Sequence, residues 1–139
     1  MNDGLIGELL VQHEQLVTAL KQIEDISEAE DPSYASILDR LHSFSKLFIG
    51  HIYTENKGLY PKIFENCGND KGCIASTRRV LEEMKSVQDA IVAFLNKYKS
   101  AESLSKGLRT FNSDLKTVIR ILRTRIQFEE EVVFKYFEK

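Results

Sequence analysis

His51 and Glu55 stand one helical turn apart, so on a helix their imidazole and carboxylate leave the same face. Leu41, Phe44, Phe48 and Leu59 share that face, which puts the pair in a core stripe. Burying such groups is costly unless they are hydrogen-bonded, paired or bound to a metal. Imidazole with carboxylate suits iron, manganese or zinc. Three more polar residues sit where helical spacing asks for apolar ones: His13, Arg125 and Glu129. Arg125 and Glu129 follow Val118 and Leu122 by seven residues, and Met84 fills the matching level of the third helical segment. His13 to His51 is 38 positions and Met84 to Arg125 is 41, so arms of similar length let one level of a bundle collect them all.

Each of these residues also has an ordinary reading. A lone inward histidine such as His13 is commonly a hydrogen-bonded core residue, and Met84 on an apolar stripe is commonly packing. Arg125 can reach solvent along its stem, and Glu129 opens the run Glu129-Glu130-Glu131, most of which must be solvated. Their convergence is what favours a site. His42 is the control: nine residues before His51, it falls near the opposite side of the helix and reads as a surface histidine.

Four amphipathic segments must position these groups. The first is expected from about Asp3 to Asp25, with Ile6, Leu9, Leu10, His13, Leu16, Val17, Leu20 and Ile23 inward. Asp31 followed by Pro32 reads as an N-cap with proline at the first helical position, opening the second helix. Pro61 is expected to interrupt or kink it. A turn-rich loop, about Asn66 to Gly72, leads to a third helix from about Ser76 to Tyr98. After the polar stretch Lys99–Lys106 the fourth helix runs nearly to the end, carrying Leu104, Leu108, Phe111, Leu115, Val118, Leu122, Arg125, Glu129, Val132 or Val133, and Tyr136 inward. The expected fold is an all-α, antiparallel up-down-up-down four-helix bundle.

Residues 1–139 are expected to form one domain; two prolines, seven glycines and no tryptophan agree with a helical fold. A net charge of −2 with dispersed Lys and Arg gives no electrostatic reason for nucleic-acid binding. Met1-Asn2-Asp3-Gly4 lacks the basic flank and apolar run of a signal peptide, and no uncharged segment reaches membrane-spanning length. A cytoplasmic protein without a membrane role is the expectation, with a protein partner or homo-oligomer left open. Cys67 and Cys73, six apart, match neither a redox pair nor a zinc ribbon. In a reducing compartment two free surface thiols are expected, with a labile disulfide as the alternative.

His13-Glu14-Gln15-Leu16, then His51-Ile52-Tyr53-Thr54-Glu55 closed by Leu59-Tyr60-Pro61, resembles the first half of hemerythrin-like (HHE cation-binding) domains. That pattern has a histidine on the first helix, then H-x-x-x-E and an LFP-type ending on the second, and repeats on the third and fourth. Leu81-Glu82-Glu83-Met84 resembles the third-helix motif with Met84 at the histidine position. Arg125-Ile126-Gln127-Phe128-Glu129, ending in Val133-Phe134, resembles the fourth with arginine for histidine. The resemblance implies a four-helix bundle and, where the pattern is intact, two non-haem irons with histidines at the sides and two bridging glutamates.

The departures change that chemistry. A thioether is a poor ligand for hard iron, and a guanidinium stays protonated and cannot coordinate. A degenerate site is therefore expected, and two arrangements stay open. In one, Arg125 replaces a metal by pairing with Glu55 and Glu129, and a protonated His13 or His51 supplies the second positive charge. In the other, His13, His51 and Glu55, with Glu129, bind one Fe or other divalent ion and leave a position open for water, O₂ or NO. Ligand chemistry alone tips toward the metal-free form, since half the imidazoles are missing. The functions that follow are a metal, oxygen/NO or redox sensor holding at most one ion, or a metal-free interaction and regulatory module. No nucleophile constellation points to an enzyme, and an iron-handling or repair role would rest on analogy.

Overall fold

A computed structural model describes residues 2–138, with side chains from residue 4 onward; Met1 and Lys139, the ends of the expected domain, lie outside the described residues. The described chain is helical and contains no strand. Helix α1 (Asn2–Ser27) packs along α2 (Tyr34–Thr54) and against α6 (Leu108–Phe128), which in turn packs on α4 (Lys71–Lys97). Helix α2 runs through a π-helical turn, Glu55–Leu59, into α3 (Tyr60–Cys67). The last segment repeats the device: α6 passes through a π turn, Glu129–Val133, into α7 (Phe134–Phe137).

Several boundaries differ from expectation. The cap of α2 is Ser33, whose hydroxyl accepts the Ser36 amide at 3.2 Å; Asp31 and Pro32 precede it. Helix α4 starts at Lys71 because Asp70 Oδ1 accepts the Cys73 amide at 3.1 Å, so the loop shrinks to Gly68-Asn69-Asp70. Gly68, at φ +57°, takes a positive-φ conformation open mainly to glycine where α3 ends. This short turn brings Cys67 and Cys73 to a Cα separation of 5.5 Å, and they form a disulfide with Cys67 buried, not two surface thiols. The stretch Lys99–Lys106 is also more ordered than its polarity suggests. A Ser100/Ser103 capping box opens α5 (Ala101–Lys106), and Leu104, fully buried, belongs to this helix rather than to the next.

Pro61 does not stop its helix. Lacking an N–H and crowding the carbonyl four residues back, it is accommodated after a widened turn in which the Tyr60 amide donates to the Glu55 carbonyl. The second π turn, with Phe134 donating to the Glu129 carbonyl, forms with Lys135 in the equivalent place, so proline is not required. Each π turn inserts a residue and rotates the following inward face. Of the pair Val132 and Val133 it is therefore Val133 that is buried, with Phe134 and Phe137, while Tyr136, expected inward, is exposed. Leu10 is also exposed, because the inward stripe of α1 is the narrower Leu9, His13, Leu16, Leu20, Ile23 row.

Two apolar clusters result. The larger joins Leu16, Leu20, Phe44, Phe48, Phe94, Phe111 and Leu122, where truncating one phenylalanine would cost about 3–5 kcal/mol. The smaller joins Leu9, Leu59, Tyr60, Ile63, Val133, Phe134 and Phe137. On α1, on α2 with its π turn, and on α6 with its π turn, the polar core residues fall between the two clusters.

Candidate metal centre

His13, His51, Glu55 and Glu129 meet in that intervening layer. All four are buried, and one potential ligand atom from each lies within 4.8 Å of the others. His51 Nε2 is 3.2 Å from Glu55 Oε2, and His13 Nε2 is 3.3 Å from Glu129 Oε1. The imidazole rings contact edge to face with centroids 4.8 Å apart, and Phe134 stacks on His13 at 5.9 Å.

The outer nitrogens fix the tautomers. His51 Nδ1 is 2.8 Å from Gln12 Oε1, and His13 Nδ1 is 2.7 Å from Glu130 Oε2. The Gln12 amide nitrogen is turned toward Glu8 Oε1 and Thr54 Oγ1, so its oxygen faces His51 as an acceptor. Each Nδ1 must then carry the proton it donates, and in the neutral ring each Nε2 presents a lone pair to the layer. Those lone pairs face carboxylate oxygens. His13 Nε2 and both Glu55 oxygens are buried without a hydrogen-bond partner. Lone pairs aimed at carboxylates repel unless a cation or protons sit between them, which is the electrostatic demand a metal ion meets.

In the metal-free layer, protons carry that burden. Burial opposes charge on His13, but Glu129 and Glu130 outweigh it and raise its pKa. Burial, with the nearby charge of His13, pushes His51 down to about 4. Burial and the charge of Glu129 hold Glu55 well above the usual carboxylate range. Glu129 stays below it despite burial, because His13, Glu55 and Arg125 favour its charged form.

Arg125 is buried as expected of a residue in this layer, but it does not pair directly with Glu55 or Glu129. Its Nη2 donates to the Val80 carbonyl at 3.1 Å and to the Tyr60 hydroxyl at 3.3 Å. Tyr60 donates in turn to Glu129 Oε2 at 3.0 Å. The guanidinium thus reaches one carboxylate through a phenol, because the π turn after Glu55 swings Tyr60 inward between them. Met84 is buried among apolar side chains, as packing. His42 is exposed, as read from its phase.

Sequence reasoning missed Gln12, Glu130 and Tyr60. The run Glu129-Glu130-Glu131 reads as mostly solvated, yet the Glu130 carboxylate holds His13. Gln12 and Glu130 directly precede or follow a candidate ligand, and adjacency is the one signal that could have flagged them.

No curated protein and no solved structure gives a significant match to the chain. The family model of the hemerythrin HHE cation binding domain matches residues 4–137. With a match over nearly the whole chain, and a buried cluster of two histidines and two glutamates at its centre, the chain belongs to the hemerythrin HHE cation-binding domain family.

Proposed function

We infer that this is a hemerythrin-like domain with a degraded site that binds one divalent metal ion, iron foremost, through His13, His51, Glu55 and Glu129. Its helices read as four arms in up-down-up-down order, forming one domain. The observation that carries the reading is the matched orientation of the two imidazoles: both give Nδ1–H to an outer acceptor and turn Nε2 toward a carboxylate. Outer partners of this kind orient metal-bound histidines and strengthen them as ligands.

Charge supports the same stoichiometry. A divalent ion and Arg125 bring three positive charges to the three carboxylates Glu55, Glu129 and Glu130. A second divalent ion beside Arg125 would leave the layer strongly positive, and neither Arg125 nor Met84 offers it a hard ligand. Two imidazoles and two carboxylates leave coordination positions open, so a bound ferrous ion would supply redox chemistry and affinity for O₂ or NO. Gas or redox sensing, with no catalytic role, is the function that fits. The chain's own part is to hold two neutral imidazoles, two carboxylates and a dry apolar surround.

The second reading is a metal-free interaction module. The Arg125–Tyr60–Glu129 chain favours it, with protons on His13 and Glu55 supplying the charge a metal would bring. Calorimetric titration of chelator-treated protein with Fe(II) and Zn(II) separates the two. The metal reading expects saturable binding of one ion, and an EPR response to NO in the ferrous-loaded sample. Absence of saturable binding would leave the metal-free module.

A further inference from the structure

Between α3, α4 and the C-terminal π turn lies a pocket of about 610 Å³, within the range of small-molecule sites. Ile63, Val80, Phe128 and Val133 give it an apolar wall, and none of the four candidate metal ligands lines it. Arg125 does not itself line the pocket but stands against residues that do. The four groups that surround the guanidinium, namely the Tyr60 hydroxyl, the Val80 carbonyl, the Phe128 ring at 5.2 Å and Glu83 Oε2 at 3.9 Å, all belong to residues that line the pocket. The Arg125 side chain is only 6% exposed, and its Nε has no hydrogen-bond partner.

A guanidinium is charged at every physiological pH and wants a planar, two-point anion. Here the carboxylate it is offered comes from Glu83, at long range and on a side chain 57% exposed. Such a pair contributes little and is easily displaced. The arrangement is a buried cation, short of one acceptor, directly behind the residues of a pocket with one apolar wall.

We propose that this pocket binds a small carboxylic acid with an apolar tail, whose carboxylate takes the place of the Glu83 carboxylate against Arg125 while the tail lies on Ile63, Val80, Phe128 and Val133. Arg79 and Asp70, whose Oδ1 is already engaged by the Cys73 amide, also line the pocket and offset one another, which leaves Glu83 as the carboxylate an incoming acid must displace. The site does not depend on metal binding. Because the Tyr60 hydroxyl is shared between Arg125 and Glu129, an acid drawn to Arg125 would be felt in the metal layer.

The test is a methyl-resolved NMR titration of the full chain, as purified and after chelation, with benzoate and hexanoate and with benzyl alcohol and hexanol as uncharged partners. Expected are saturable shifts at the methyls of Val80, Val132 and Val133 for one or both acids, with the alcohols at least about tenfold weaker. Glu83→Gln, at an exposed position that leaves the fold intact, should tighten acid binding by about two- to fivefold because it removes the resident competitor. Val132→Trp, at the rim, should abolish it. Response to one acid alone would fix the tail as aromatic or aliphatic and still support the site. No saturable shift at these methyls, alcohols binding as well as acids, or a Glu83→Gln variant with unchanged or weaker affinity would each overturn it.

Discussion

Glu55 and Glu129 each open a π turn, each is buried, and each is followed five residues later by a buried aromatic. One turn before them the two segments part: His51 precedes Glu55, whereas Arg125 precedes Glu129. The backbone device therefore persists whether or not the segment carries an imidazole. The aromatics differ in step with their neighbours. Phe134 offers a bare ring and stacks on His13, while Tyr60 brings a hydroxyl to the place where Arg125 needs an acceptor and Glu129 a donor. One side of the layer is built to present nitrogen lone pairs, and the other is stitched shut by a guanidinium and a phenol.

The sharpest way to break this contrast is to disarm each side in turn. His51→Ala should abolish metal binding outright, as read by calorimetry. Arg125→Met should leave binding of one ion intact yet cost roughly 3 kcal/mol in urea unfolding, since the Val80 carbonyl and the Tyr60 hydroxyl lose a buried charged donor. If Arg125→Met also lost the metal, the division of labour would be wrong.

How much of this was legible follows from the kind of signal each feature leaves. The helices, and His13, His51, Glu55 and Glu129 as inward polar residues, could be read because spacings of three and four repeat over many turns. Arg125 and Met84 could be placed in the interior by register alone. The π turns leave no such pattern, so periodicity leaves Val132 and Val133 undecided and puts Tyr136 on a face that the extra residue rotates outward. The Tyr60 bridge was hidden for the same reason. The cysteine pairing depended on Asp70 starting α4 five residues earlier than the apolar stripe suggested.

A second asymmetry is mechanical. Helix α3 is tied to α4 by the Cys67–Cys73 disulfide, whereas the short α7 is held to Asn66, whose amide donates to the Tyr136 and Phe137 carbonyls. With a loop this short, replacing both cysteines by alanine should lower stability by about 2 kcal/mol in urea unfolding. Unchanged stability would show that the turn is held by its caps alone.

Within the histidine side, the outer partners should matter less than the ligands. Gln12→Leu frees the His51 tautomer and should weaken metal binding by about 10- to 100-fold without eliminating it. The smallest expected effect lies outside both π turns. The Tyr98 hydroxyl, at 2.6 Å, and Lys97 hold Asp114 below its ordinary pKa of 3.8. A depressed carboxylate stabilises the fold above its unfolded pKa and loses that contribution as pH falls through the folded one. Asp114→Asn should therefore flatten the acid limb of the stability curve slightly and leave metal binding untouched.

Native mass spectrometry of the chain loaded with excess Fe(II) and then desalted counts the ions held in this layer. One ion per chain, absent from His51→Ala, is the result the site's chemistry predicts. Two ions per chain would mean that Arg125 does not exclude the second position, and none would mean that protons alone fill the first.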